Sequence, residues 1–298
     1  MTANHSTGAD RLDSVEPRCQ SRPRLAVLIP VFNDQKGLES SLQSLKRDGS
    51  EFDVYVVDDG STPPISIPAH LSYEVRFVRQ EPNQGITAAL NAGLASIGQA
   101  GYEYVARLDA GDLSLPGRFA AQVAFLDGHP EHAAVGTATR HVDVAGRVLF
   151  DFRPPAEHGK VMRGLRYRAA LVHPSIMMRV EAVQACGLYK NLFPGGEDYD
   201  LFFRLAKTYK LANLKRTYVI KEINPSSITS QRRKMLLGRI KLLMWYFDPR
   251  TVHSYLGIAV SGSLLLVPRG VIFGLRRWWA CLQTYGSGKS SESENMLR

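Results

Sequence analysis

The first half of the chain alternates short unbroken apolar runs with stretches whose apolar residues recur every three or four positions. Residues 24–33 read RLAVLIPVFN, an apolar run closing on Pro, Phe and Asn, which is the pattern of a strand buried on both faces. Residues 37–47 then place Leu38, Leu42 and Leu45 on one helical face, and Asp48-Gly49 stops them. A second strand is predicted at 52–57, broken by Asp58-Asp59-Gly60-Ser61. The alternation continues with a strand at 75–80, a helix at 86–97 and a strand at 104–108 that runs straight into Asp109. A further helix is expected after Ser114-Leu115-Pro116-Gly117-Arg118, through Phe119, Val123 and Leu126. Strand, helix, strand with short links predicts an α/β fold with a parallel sheet and right-handed crossovers.

In an open sheet of that kind, ligands lie beyond the carboxyl ends of the strands. Asn33-Asp34, Asp58-Asp59 and the acids from Asp109 to Asp112 all fall at such ends, so three clusters distant in sequence are expected in one crevice. Asp58, expected at an exposed strand end, would accept a uracil imide N–H or bond a ribose hydroxyl; an Asx-turn is the plainer alternative. Gly85 precedes the helix carrying Ala88 and Ala89, whose small side chains allow close approach to the sheet. Its helix N-terminus would leave backbone N–H groups free for an anion or ribose. Asp109 and Asp112, three residues apart, offer hard oxygen ligands of the kind that hold Mg²⁺ or Mn²⁺ against a diphosphate; a surface turn is the alternative. Farther on, Gly195-Gly196 precede Glu197, Asp198, Tyr199 and Asp200 at a predicted helix start. An acid there is favoured by the helix dipole and held rigidly, as a general base must be. N-capping accounts for one of these acids, and Tyr199 and Asp200 are read as packing and capping groups.

Composition changes this picture little: 298 residues with 44% hydrophobic and 22% charged side chains suit one main globular domain. The cysteines, Cys19, Cys186 and Cys281, form no C-x-x-C pair, which argues against a disulfide framework or a zinc cluster. Residues 1–23 lack the apolar core of a signal peptide and are expected to be a disordered leader, with the chain in the cytoplasm.

The ordered motifs IPVFN, VVDDGST, NQGITAALNAG, RLDAGD-x-x-x-P-x-R, HPS and GGEDYDLFFRL resemble those of the inverting GT-A-fold glycosyltransferases known as family 2, across roughly residues 24–230. The resemblance implies an α/β GT-A fold: a Rossmann-like, mostly parallel sheet flanked by helices. It also implies a nucleotide-diphosphate sugar donor, with Pro30, Phe32 and Asp58 lining the nucleoside site and Gly85 and Arg107 nearby. Asp109 would meet the ribose or the metal, Asp198 would be the base that deprotonates the acceptor, and Glu197 would orient the acceptor or the helix. His173, in a Val-His-Pro-Ser segment, would lie on the acceptor side, although a lone His before Pro is more often structural. Many members carry an acid at the position held here by Gly111, and in them it is the principal metal ligand. Its absence leaves Asp109 and Asp112 as candidates and weakens the expectation of a divalent cation.

The net charge of +9 is concentrated in residues 231–280, where nine basic side chains face one acid, Asp248. That distribution argues against a nucleic-acid partner. Residues 231–285 are expected to be a basic helical tail on an anionic membrane surface, with Leu236, Leu237, Ile240, Leu243 and Met244 on its apolar face. Residues 255–267 are too short to span, and Arg276, Arg277, Trp278 and Trp279 resemble an interfacial anchor. The alternative is a tail packed back on the domain; residues 286–298 are expected to be disordered. The acceptor is expected to be a glycan or a lipid-linked sugar, and the enzyme peripheral on the cytoplasmic face of the inner membrane. A nucleotidyltransferase and a non-catalytic, membrane-docked carbohydrate-binding scaffold are the competing readings. The first would need a Gly-rich loop after the first strand, where this chain has PVFNDQKG.

Overall fold

The structure, a computed structural model, describes residues 23–69, 71–167, 170–223 and 232–266. The expected leader, the distal tail with its Arg-Arg-Trp-Trp segment and the expected disordered end lie outside them.

The chain opens with β1 (Leu25–Val31), α1 (Gln35–Leu45), β2 (Asp53–Asp58), β3 (Val75–Arg79), α2 (Ile86–Gln99) and β4 (Tyr104–Arg107). These are the elements that the apolar pattern predicts. Helix α1 starts two residues before its expected first position, because Asp34 caps it by accepting the Gly37 N–H at 2.9 Å. β1 is buried along its whole length, as its uninterrupted apolar run requires.

The second half adds β5 (Leu113–Ser114), α3 (Arg118–Gly128), β6 (His132–Val142), β7 (Val148–Phe152) and α4 (His158–Leu165). After a 3₁₀ turn, His173–Ser175, come β8 (Met177–Arg179), α5 (Val180–Ala185), α6 (Glu197–Leu205), β9 (Lys210–Glu222), α7 (Arg232–Trp245) and α8 (Val252–Leu266). One sheet runs β3-β2-β1-β4-β8-β6-β9-β5, with β7 paired to β6. β3, β2, β1 and β4 are parallel, whereas β8 is antiparallel to both β4 and β6. β2 lies on one side of β1 and β4 on the other, which makes a topological switch point and opens a crevice at the carboxyl ends of β1 and β4. Apolar clusters fill both faces: Leu28, Val57, Leu90 and Leu94 on one, Val27, Ile29, Leu38 and Phe119 on the other.

α7 and α8 pack on the domain. Leu242 and Leu243 are buried in its core, and Tyr246 stacks on Phe203 with ring centroids 4.6 Å apart. Close approach depends on two glycines: a Cβ at Gly238 would lie 2.4 Å from the Pro194 carbonyl oxygen, and one at Gly257 would lie 1.8 Å from that of Arg166. The tail as far as Leu266 is therefore continuous with the domain in packing, and the face expected to be apolar is split: Leu243 is buried while Leu237 and Met244 are exposed. The reason is that the groove beside α6 selects the face holding Gly238 and Leu242, which admits backbone contact.

Candidate active site

Since β2, β1 and β4 are neighbours, the three polar clusters do meet at one sheet edge. Pro30 is buried in β1, and Phe32 just beyond it is 50% exposed, a large apolar face left open at the crevice. Asn33 stitches the strand ends together: its N–H donates to Ser61 Oγ and its Oδ1 accepts from the Thr62 N–H, both at 2.8 Å.

Two expectations about this edge need correction. Asp58 is fully buried, with its carboxylate accepting N–H bonds from Ser61 and Ile65 and an ion pair from Arg79. Burial alone would raise its pKa, but the hydrogen bonds and Arg79 outweigh burial and hold it below the usual value. The turn after β2 needs an acceptor for its N–H groups, so Asp58 forms an inward Asx-type turn and is not an exposed strand-end acid. The Gly85 N–H is likewise not free. It donates to Asp59 Oδ2 at 2.9 Å while Gln84 N–H donates to Oδ1 at 2.8 Å, so Asp59 closes the start of α2.

At the end of β4, Arg107 is buried and donates to Asp109 Oδ1 at 2.5 Å and to the Leu28 carbonyl at 3.2 Å. The loop from Asp109 to Asp112 is pinned from α1, where the Ser41 hydroxyl donates to the Asp112 carbonyl at 2.8 Å and accepts the Gly111 N–H at 3.0 Å. Underneath, the fully buried Arg118 donates to the carbonyls of Arg107 at 2.8 Å and Pro174 at 3.1 Å, tying β4 to the 3₁₀ turn. Lys221, near the end of β9, reaches Asp112 Oδ2 at 3.0 Å and lies 3.6 Å from Asp109 Oδ2. Burial opposes the charged form of Asp109, but Arg107 and Lys221 outweigh it and hold its carboxyl below the usual carboxylate range. Asp112 is pushed the other way, chiefly by burial and with Asp109 adding to it.

The opposite wall is the start of α6, where Glu197 and Asp198 are half-buried. Burial first, then the charge of Glu197, lifts Asp198 to about 7, and burial raises Glu197 too. Arg107 acts on Glu197, and Asp109 acts on both acids, which places the two sides of the crevice within electrostatic reach. His173 Nε2 lies 3.5 Å from Arg107 Nε and 2.7 Å from the Tyr189 hydroxyl. Burial and then the Arg107 charge depress His173 to about 3, so it is neutral and supports Arg107. Tyr189 is held by a reciprocal pair of 3.0 Å bonds to the Asn91 side chain on α2.

Sequence reasoning missed Ser41, Tyr189 and Lys221. A Ser on the buried face of α1 was a legible signal; Tyr189 and Lys221 carry none, because only tertiary contacts bring them to the crevice. The predicted ligands do not fit a resident divalent cation. Asp112 faces Lys221, Asp109 is shared between Arg107 and Lys221, and Gly111 has no side chain to add. Among the described residues no group of three or more His, Cys, Asp or Glu side chains could hold a metal.

The architecture is that of the GT-A class. It matches the mannosyltransferase PcManGT from Pyrobaculum calidifontis, solved with GDP-Man and Mn²⁺, at a TM-score of 0.58 and 16% identity over 93% of this chain and 79% of that one. S. aureus TarS in complex with UDP-GlcNAc matches at 0.56 and 18% identity, over 78% of this chain and 68% of that one. The chain belongs to Glycosyl transferase family 2, whose profile matches residues 26–185, and it is a glycosyltransferase. It is 30% identical to the putative glycosyltransferase EpsE of Bacillus subtilis over 62% of this chain and 67% of that protein. It is also 30% identical to the amylovoran biosynthesis glycosyltransferase AmsE of Erwinia amylovora, over 63% and 72% respectively.

Proposed function

We propose that the protein transfers a sugar from a nucleotide-diphosphate donor to a hydroxyl of a glycan or lipid-linked acceptor, with inversion, during synthesis of a surface polysaccharide. The observation that carries this reading is the pairing across one crevice of Arg107 and Asp109 with Glu197 and Asp198 at the start of α6. The donor lies along the strand ends beside Pro30, Phe32 and Asp109. The acceptor hydroxyl attacks the anomeric carbon from the α6 side, opposite the departing nucleotide, as Asp198 takes its proton. Support for a polysaccharide product comes from the relatives, one of which is named for amylovoran biosynthesis. Incubating the protein with a panel of nucleotide sugars and glycan acceptors, and reading the anomeric configuration of the product, tests the reading; retention of configuration, or no transfer or donor hydrolysis with any donor, refutes it.

Two variants separate donor contact from loop support. Asp109→Asn is expected to weaken donor affinity about tenfold or more, because the donor ribose loses a charge-assisted acceptor, with a modest drop in Tm, because the amide oxygen still accepts from the buried Arg107. Asp58→Ala is expected to weaken affinity and lower stability together, because the turn after β2 loses the acceptor for Ser61 and Ile65. Calorimetry with a nucleoside diphosphate alongside a thermal melt reads both. Unchanged affinity in both variants would remove the donor from this edge.

Among the described residues no helix is long and apolar enough to cross a membrane. Met244, Trp245, Val252, Tyr255, Leu256 and Leu266 nevertheless stand exposed on α7 and α8. With the basic residues of the same segment, these exposed apolar side chains suit an anionic bilayer on the cytoplasmic side of the membrane. Deleting residues 231–298 would remove Leu242 and Leu243 from the core, so point changes are the sounder probe. Trp245→Glu with Leu256→Glu is expected to cut cosedimentation with phosphatidylglycerol vesicles by about tenfold or more, since two apolar anchors are lost at ~1.5–3 kcal/mol each. Undiminished binding by the folded double variant would leave these side chains without a membrane role.

A further inference from the structure

We propose that Lys221 takes the place of a divalent cation in this enzyme, its ammonium group meeting the diphosphate of the donor directly. The inference rests on the donor reading above and adds to it the identity of the cation. Lys221 Nζ stands 3.0 Å from Asp112 Oδ2 and 3.6 Å from Asp109 Oδ2, between the two acids a metal would use. A hard divalent ion needs carboxylate oxygens at about 2.0–2.6 Å, and one placed on these acids would crowd an ammonium that already holds one of them. Gly111 supplies no oxygen from its side chain.

Lys221 itself is arranged to serve. An ammonium has three N–H donors, and Asp112 takes one of them. The side chain remains 31% exposed, and its ammonium also lies 3.6 Å from Asp109 Oδ2, at the end of the crevice that Arg107 supports. β9 carries the lysine in a strand paired to β5 and β6, which fixes the position of its backbone at the crevice. Asp112 is nearly buried at 4% side-chain exposure and is turned toward Lys221, which gives this carboxylate the task of aiming the ammonium. Lysine is an established point-charge partner for phosphate. With Arg107 buried and paired to Asp109, Lys221 is the partly exposed positive charge where the leaving diphosphate accumulates negative charge, the electrostatic need that a bound metal otherwise meets.

The test is nucleotide affinity of the full chain, measured by calorimetry with UDP and GDP in EDTA and again in Mn²⁺. The nucleotide that binds is expected to do so with affinities that agree within about twofold in the two buffers. Lys221→Met is expected to weaken that binding about tenfold or more in EDTA, and Lys221→Arg to retain most of it, since the charge rather than the shape is used. Binding that appears only with Mn²⁺ overturns the role of Lys221 while leaving the donor reading intact, and so does unchanged affinity in a folded Lys221→Met. If that variant fails to fold, the comparison of EDTA with Mn²⁺ on the unaltered protein decides alone. Failure of both nucleotides to bind in either buffer would sink the donor reading and the lysine's role with it.

Discussion

Asp198→Asn is expected to reduce single-turnover sugar transfer by roughly 10²–10⁴-fold while donor affinity stays near that of the unaltered protein. The amide keeps the shape of the carboxylate but has no site for the acceptor proton. Burial and Glu197 lift the Asp198 carboxyl to about 7, a value matched to a base that works near neutrality. The rate of the unaltered protein is therefore expected to climb as pH rises through about 7, and the residual rate of the Asn variant to lose that inflection. Stability moves in the opposite sense. Between the ordinary carboxylate range near 4 and about 7, the folded state keeps a proton that the unfolded chain has released, so stability falls as pH rises through that window. Asn escapes this cost, and Asp198→Asn is expected to match or exceed the unaltered Tm above pH 7. Transfer near the normal rate, or a Tm that drops sharply, would move the base elsewhere. Glu197→Gln is expected to be milder, as suits a group that orients its neighbour.

The parallel half of the fold was legible because a strand buried on both faces writes itself as an unbroken apolar run, and β1 and the centre of β2 do so. Their ends predicted where the crevice lies. The sequence could not show which way each carboxylate turns. Asp58 and Asp59 look equally available as letters, but the turns that follow them need hydrogen-bond acceptors and claim both. Lys221 was invisible for a different reason: it lies 109 residues from Asp112 and joins it only because β9 pairs with β5. On α7, the apolar positions were identified correctly as apolar but assigned to one face. Three-residue and four-residue spacings alone do not tell which side meets the groove left beside α6, whereas the contact of Gly238 with Pro194 decides it.

The largest loss of stability is expected from Asp200→Ala, two residues from the proposed base. Asp200 is buried at 1% exposure; its Oδ2 accepts from Arg204 Nε at 2.8 Å and its Oδ1 accepts from the Tyr246 hydroxyl at 2.7 Å. Arg204 also donates to the carbonyls of Cys186 and Leu188, just past α5. One carboxylate thus fastens α6 to the end of α5 and to the residue that follows α7. Removing it leaves the Arg204 guanidinium in the interior with only neutral carbonyls, and the Tyr246 hydroxyl with no acceptor there. Breaking a buried ion pair from one side costs about 3–5 kcal/mol. In a domain whose total stability is about 5–15 kcal/mol, that is expected to lower Tm by on the order of ten degrees. Tyr246→Phe should cost only about 0.5–1.5 kcal/mol, and a double-mutant cycle with Asp200→Ala should show coupling of about 0.5–3 kcal/mol, because the two changes delete one shared bond. The contrast with Asp198 distinguishes the two neighbouring acids: one variant loses turnover with its melt intact, while the other melts early. A thermal melt of Asp200→Ala within a degree or two of the unaltered protein would free that carboxylate from its anchoring role and return it to the candidates for the base.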